Sequence, residues 1–221
     1  MTILALRCSS WPGGELPVPD DVVVRELAGR PERADVDPLL AELAPDRVVV
    51  AGTDGDLAAV VLRLLRTERL ASVAVAYLPA SADSAVAATW GLPTDPTQAV
   101  TLALHGEPDR VPLIRDDAGG ILLGRGEVRP ARGVVYCDDE LVLRGQANRL
   151  EVTPIAPVGV DVRAVRVGLL GRKVRAATGR AVQIGCLPAT VLHDGAPHPR
   201  PVTRWTWYKH TEDLRLVRGQ P

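Results

Sequence analysis

The chain is 221 residues long, 46% of them apolar, with 26 basic residues against 27 acidic and a formal net charge of −1. That length and apolar share suffice for one large or two small globular domains with a proper core. A balance so close to zero gives no electrostatic footprint for duplex nucleic acid or for an anionic bilayer, so neither is expected as a partner.

Up to about residue 115 the apolar pattern alternates between strand and helix. Strands are expected at Thr2–Leu6, Asp21–Glu26, Arg47–Ala51 and Val73–Tyr77, and helices at Asp37–Leu43, Leu57–Leu65, Ala82–Trp90 and Thr97–His105. Such alternation builds a parallel sheet with helices on its faces. The valines Val48–Val50 suit a central strand buried on both sides. From about Asp116 the helical period disappears, and short β-branched runs are separated by Gly, Pro and Asp turns. These runs are Val134–Tyr136, Glu140–Arg144, Arg149–Thr153, Val160–Val167, Ala181–Ile184, Thr190–His193, Val202–Tyr208 and Leu214–Val217. Many short strands without helices make a β-sandwich or barrel-like half. The boundary is expected near Asp116-Asp117-Ala118-Gly119-Gly120, dividing an α/β domain over 1–115 from a β-sandwich over 116–221.

The cysteines Cys8, Cys137 and Cys186 are odd in number and scattered, which fits neither a disulfide framework nor a metal knuckle. A reduced, cytoplasmic compartment is the simplest expectation. The opening residues lack a basic leader and a secretory core, and no apolar run approaches a membrane span. Lys173 and Lys209 are the only lysines and phenylalanine is absent, a bias expected of a GC-rich bacterial genome.

Residues 47–66 read as strand, tight turn and helix, with the turn at Gly52-Thr53-Asp54-Gly55-Asp56. Glycines let backbone N–H groups approach a phosphate, and the helix that follows presents its positive end to the same place. A second segment, Leu78-Pro79-Ala80-Ser81-Ala82-Asp83-Ser84-Ala85-Val86-Ala87-Ala88-Thr89-Trp90-Gly91-Leu92-Pro93, follows a strand. The pair resembles the nucleotide-binding domain of the diacylglycerol and lipid kinase family, whose pattern is G-G-D-G-T, helix, strand, P-L-G-T-x-N-D-x-A-R-x-L-G-I-P. Pro79, Ala87, Gly91 and Pro93 fall on that pattern, and Leu92 stands for its isoleucine. The family's two-part plan, an α/β nucleotide domain followed by a β-sandwich, is also the plan read here, in a chain shorter than the family's usual length.

The resemblance implies that Gly52, Thr53, Gly55 and Asp56 meet nucleotide phosphates, with Ser81 and Ser84 supplying hydroxyls from the second segment. It implies ATP and Mg²⁺ as cofactors if the protein is active and none otherwise. Asp194-Gly195-Ala196 matches the first two letters of the family's D-G-E motif, which makes Asp194 the implied general base, with Asp54 as a second catalytic candidate. Two of the five turn residues depart from the pattern. Thr53 in a glycine place is expected to cost about 1–2 kcal/mol if that place needs a positive φ. Asp56 in a threonine place brings a negative charge, worth roughly 3 kcal/mol of repulsion against a phosphate ~5 Å away. Asp54 and Asp56 sharing a Mg²⁺ stands as the minor alternative to two solvated helix caps.

In the second segment a plain helix start capped by Ser81 or Asp83 is the competing reading, and Asp194-Gly195 is also a common hairpin turn. His193 and His198 bracket that turn without carboxylate or cysteine at ligand spacing. Trp205 and Trp207 share one face of a strand and are expected in the core. The arginines around Lys173 read as a solvated charged face. Together these point to a lipid-kinase-like protein with eroded catalytic motifs, a pseudoenzyme that binds nucleotide, lipid or a protein partner, including a second copy of itself. The alternative is an active ATP-dependent kinase phosphorylating a lipid hydroxyl.

Overall fold

The computed structural model describes residues 1–168 and 171–219. The chain divides into two compact units, one comprising Met1–Val111 with the C-terminal stretch from Glu212, the other Pro112–Thr211.

The first unit runs β1 (Ile3–Cys8), β2 (Val23–Leu27), α1 (Arg33–Leu43), β3 (Arg47–Gly52), α2 (Asp54–Arg66), β4 (Ala74–Pro79), α3 (Ala85–Trp90), α4 (Pro96–His105) and β5 (Pro108–Val111). β1 pairs in parallel with β2 and β3, and β3 in parallel with β4, so these strands all end at one edge of the sheet. Every residue of β3 and β4 is buried, as a strand covered on both faces requires. Arg47, at the start of β3, is itself buried and donates to the carbonyls of Ala103, Leu104 and Gly106 at 2.7–2.8 Å. A cation at the C-terminal end of α4 meets both its orphan carbonyls and its dipole.

Three helices start where the sequence pattern did not place them. α2 opens at Asp54, inside the expected turn and three residues ahead of Leu57, because Thr53 is its cap. α1 opens at Arg33 because Glu32 and Asp35 form a capping box one turn ahead of Asp37. Asp37 is thereby left inside the helix, where it accepts both Nε and Nη2 of Arg63 from α2, at 2.8 and 2.7 Å. α3 opens at Ala85, and its cap is Ser84, which accepts from the N–H of Ala87, in place of Ser81 or Asp83.

The second unit contains β6 (Ile114–Asp116), β7 (Ile121–Leu122), β8 (Gly126–Arg129), β9 (Ala131–Cys137), β10 (Glu140–Ala147), β11 (Arg149–Ile155), β12 (Gly159–Gly168), β13 (Gly171–Gly179), β14 (Ala181–His193), β15 (Ala196–Pro197) and β16 (Val202–Lys209). Their pairings are antiparallel throughout. β14 merges two of the expected strands. Its register against β16 shifts between Gly185 and Ala189, and it pairs with β9 before that point and with β8 after it. The core packs Trp205 and Trp207 with Val135, Val152, Val162 and Val182.

The last strand, β17 (Leu214–Val217), follows the β unit in chain order but belongs to the first sheet. It lies between β4, to which it is parallel, and β5, to which it is antiparallel. Leu214, Leu216 and Val217 are each 1% exposed there, and this burial holds the strand in place. The fold is of the expected class, a parallel-dominated α/β unit and an antiparallel β unit. No helix among the described residues is long and apolar enough to cross a membrane.

Candidate functional site

In open parallel sheets, ligands bind outside the carboxyl ends of the strands. The ends of β1, β2 and β3 converge on one group, the carboxylate of Asp56. Gly52 closes β3, and Thr53 caps α2 with φ −80° and ψ 166°, an extended conformation. The strain expected of a threonine at this place therefore does not arise. Thr53 and Asp56 form a capping box: Asp56 N–H donates to Oγ1 of Thr53 at 3.3 Å, and Thr53 N–H donates back to the carboxylate at 2.8 Å. The same carboxylate accepts the N–H of Arg30 at 2.5 Å, Oγ1 of Thr53 at 2.7 Å and the hydroxyl of Ser10.

Asp56 is 1% exposed. Burial pushes its carboxyl up, but the hydrogen bonds from Arg30, Ser10 and Thr53 outweigh burial and hold it below the usual carboxylate range. It is an internal anion that ties three loops to the helix, and not a charge presented to a ligand. Gly52 makes this arrangement possible, since a Cβ there would stand 2.6 Å from the Asp56 carboxylate.

Asp54 faces the other way. Its carboxylate accepts Tyr77 Oη at 2.8 Å, Ser84 Oγ at 2.5 Å and the N–H of Ala85 at 2.8 Å. It thus joins the start of α2 to the start of α3. Burial first, then the charge of Asp54, push the Tyr77 phenol well above its ordinary value, so Tyr77 stays a donor. Ser84 is occupied twice, as donor to Asp54 and as cap of α3. Ser81 accepts the N–H of Asp83 at 3.1 Å and remains exposed.

What this edge offers an anion is the opening of α2. The first N–H groups of a helix have no intrahelical acceptor. Thr53 takes those of Asp56 and Leu57, leaving those of Asp54 and Gly55, both half-buried. Arg30 stands beside them: its Nε and Nη2 lie 3.6 and 3.7 Å from the position a Cβ on Gly55 would take. Arg30 itself has φ +53°, an uncommon conformation for a side-chain-bearing residue. Neither Ser10 nor Arg30 was among the residues singled out in the sequence. Both lie in loops after strands, and only the parallel pairing of β1, β2 and β3 brings them to Asp56.

In the second unit Asp194 and Gly195 have φ +46° and +80°, forming the two-residue turn between β14 and β15. The Asp194 carboxylate is 7% exposed and accepts the N–H groups of Leu123, Gly124 and Arg125 at 3.0, 2.7 and 2.9 Å. It clamps the approach to β8 onto the hairpin. His193, beside it, packs between the indoles of Trp205 and Trp207 at ring distances of 5.2 and 5.3 Å. Its Nδ1 lies 3.6 Å from the buried carboxylate of Asp116. Among the described residues no group of three or more His, Cys, Asp or Glu is placed to hold a metal ion.

Residues 22–115 match the family model of the diacylglycerol kinase catalytic domain, a span that contains the Gly52 turn and the whole second segment. No curated protein matches the sequence. Among solved structures, the chain is similar to a diacylglycerol kinase from Bacillus anthracis str. Sterne, with 14% identity and a TM-score of 0.74 over 99% of this chain and 97% of that one. It is similar also to an NAD kinase from Archaeoglobus fulgidus solved in complex with ATP, with 15% identity and a TM-score of 0.57 over 99% of this chain and 94% of that one. At such identities the likeness is one of fold.

Proposed function

We propose that this diacylglycerol-kinase-like chain, which carries the signature of that family's catalytic domain over residues 22–115, binds a nucleotide by its phosphates at the opening of α2 and does not pass a phosphoryl group on. One observation carries the second half of this reading: the three carboxylates that the motifs offer, Asp54, Asp56 and Asp194, are each taken by three or more donors of the protein itself. A general base needs a lone pair directed at the proton it removes. The first half rests on the N–H groups of Asp54 and Gly55, the nearby Arg30 guanidinium, and a fold in which another protein holds ATP.

Mg²⁺ would come to such a site with the phosphates. Asp54 and Asp56 point to separate sets of donors, so a cation shared between them has no support. An active lipid-hydroxyl kinase remains the second reading, favoured by the family match. It requires a substrate hydroxyl to reach the buried Asp194 carboxylate, which already accepts three amide donors.

Thermal unfolding with ATP or ADP and Mg²⁺ tests the first reading, because a ligand of the folded state raises Tm by linkage. A rise is expected in the wild-type chain and its loss in Arg30→Ala, with no transfer of labelled phosphate to diacylglycerol or a sphingoid base. A flat response overturns nucleotide binding and turns attention to a lipid or protein ligand. Transfer that Asp194→Asn abolishes overturns the non-catalytic half and establishes the kinase.

A further inference from the structure

Between Asp161 and Asp194 the chain has no acidic residue and six cations: Arg163, Arg166, Arg172, Lys173, Arg175 and Arg180. The rest of the chain sets the other 20 basic residues against all 27 acidic ones. Register divides these cations between the two faces of the β12–β13 hairpin, because side chains alternate along a strand. Arg163, opposite Glu151 on β11, lies on one face. There each arginine has a carboxylate two residues along its own strand: Arg163 with Asp161, Arg149 with Glu151 and Arg129 with Glu127. The other face carries Val162, Ala164 and Ala177 into the core. It continues outward to Arg166, directly opposite Lys173, and to Arg175, opposite Ala164. Like charges facing each other across a pair of strands are destabilising. Among the described residues no carboxylate relieves them, and Arg166 donates instead to the carbonyls of Gln146 and Arg144 on β10.

β10 packs against this end of the hairpin, with Val142 and Leu143 turned into the core. Where the two part, a cavity of about 290 Å³ opens. Four cations line it, Arg144, Arg166, Lys173 and Arg175, and the rest of the lining is aliphatic, Leu141 and Val142 included. Arg166 spans the gap from β12 to β10, its Nε 2.9 Å from the Gln146 carbonyl and its Nη2 3.4 Å from that of Arg144. The carboxylates of the β9–β10 turn, Asp138, Asp139 and Glu140, do not belong to the lining, and Asp138 is occupied by the N–H groups of Arg180 and Ala181 at 2.9 Å. Solvation accounts for an exposed cation taken singly. It does not account for four of them around one cavity, when the opposite face of the same hairpin pairs its arginine and the whole chain is nearly balanced in charge.

We propose that this cavity binds a small soluble anion carrying two or more negative charges on a short aliphatic frame, with Arg144, Arg166, Lys173 and Arg175 holding its charged groups and Leu141 and Val142 its carbons. Guanidinium forks suit carboxylate or phosphate oxygens, and the ammonium of Lys173 adds a mobile point charge. Pockets for drug-sized ligands run from about 300 to 1,000 Å³, so this one takes a smaller molecule. Its lining offers no aromatic platform for a nucleobase. A single negative charge would leave most of the four cations unrelieved, whereas a polyanion removes the repulsion between Arg166 and Lys173 as it binds. The empty hairpin is thus held below the stability it could have, a trade that binding sites commonly make. The cavity belongs to the β unit and the opening of α2 to the other, so the inference stands whether or not the chain binds nucleotide.

Thermal unfolding of the full chain in low-millimolar citrate or 3-phosphoglycerate tests it, with ionic strength held constant by sodium chloride. At ten times the dissociation constant the β unit is expected to gain roughly 5–10 °C in Tm. Lys173→Gln, at an exposed position, should act in two opposite directions. It should raise Tm without the anion, because the cross-strand repulsion is relieved, and weaken anion binding about tenfold. Arg175→Gln should weaken binding likewise. Arg172→Gln removes the same charge from the adjacent exposed residue, on the opposite face of β13, and should keep the response, as should Arg30→Ala. No rise with either anion overturns the proposal, and so does a rise that sodium chloride alone reproduces, which is screening. Equal loss in Arg172→Gln would mark a diffuse charge effect, and loss in Arg30→Ala would move the anion to α2; either overturns the site. Binding to phosphatidylglycerol vesicles with no response to a soluble anion overturns it as well.

Discussion

Asp56 shows how a residue can be read correctly in type and wrongly in role. In the sequence it stands where a triphosphate is expected, and an added negative charge there reads as repulsion. The spacing Thr53-x-x-Asp56 is also a capping-box pattern, so the cap itself was legible. Its burial was not, because two of its donors, Ser10 and Arg30, lie 46 and 26 residues away in sequence. The two roles make opposite predictions. As an internal anion, Asp56 leaves several buried donors unpaired when replaced by Ala, which should cost about 3 kcal/mol in urea unfolding. As a charge facing phosphate, the same replacement would leave stability intact and tighten nucleotide. The structure predicts the first outcome.

Elements were legible where the period was strong and unbroken. β3 was placed within one residue of its observed end, since three consecutive valines behind a proline admit few alternatives. β14 was split because Gly185 and Pro188 read as punctuation, whereas they mark a register shift within one long strand. β13 was missed altogether: its exposed stretch has cations on both faces, so no apolar alternation announces a strand. β17 was found with its observed limits but assigned by chain order to the wrong unit, for nothing local says which sheet a strand joins. That misplacement has a measurable consequence. A fragment ending at residue 115 lacks the strand that pairs with both β4 and β5, and with it three buried side chains worth roughly 2 kcal/mol each. Their sum rivals the whole stability of a typical domain. The fragment should therefore be digested rapidly by protease, and joining Leu214–Val217 to it through a flexible linker should restore resistance.

For the whole molecule, a near-zero net charge concealed a strong segregation of charge along the chain, and acid should expose a second asymmetry, between the two units. His193 lies in the β unit, where burial lowers its pKa from 6.5, outweighing the Asp116 carboxylate and the Ile121 carbonyl that favour the charged ring. The unfolded chain thus takes up a proton that the folded unit resists. The stability that neutral His193 contributes is complete above about pH 6.5 and is lost as pH falls toward its folded value. Asp56 lies in the α/β unit and is also lowered, from 3.8, so its contribution persists until pH falls below that value. The β unit should therefore weaken first on acidification, and the α/β unit only near the carboxylate range. Calorimetry from pH 7.5 downward should resolve two transitions, since two compact units need not unfold together. The one that moves as pH falls below about 6.5 should stop moving in His193→Gln, whose side chain cannot charge, while the other stays fixed until the carboxylates protonate. A single transition with the same pH dependence in both proteins would show that the indoles shelter a histidine whose protonation the fold does not feel.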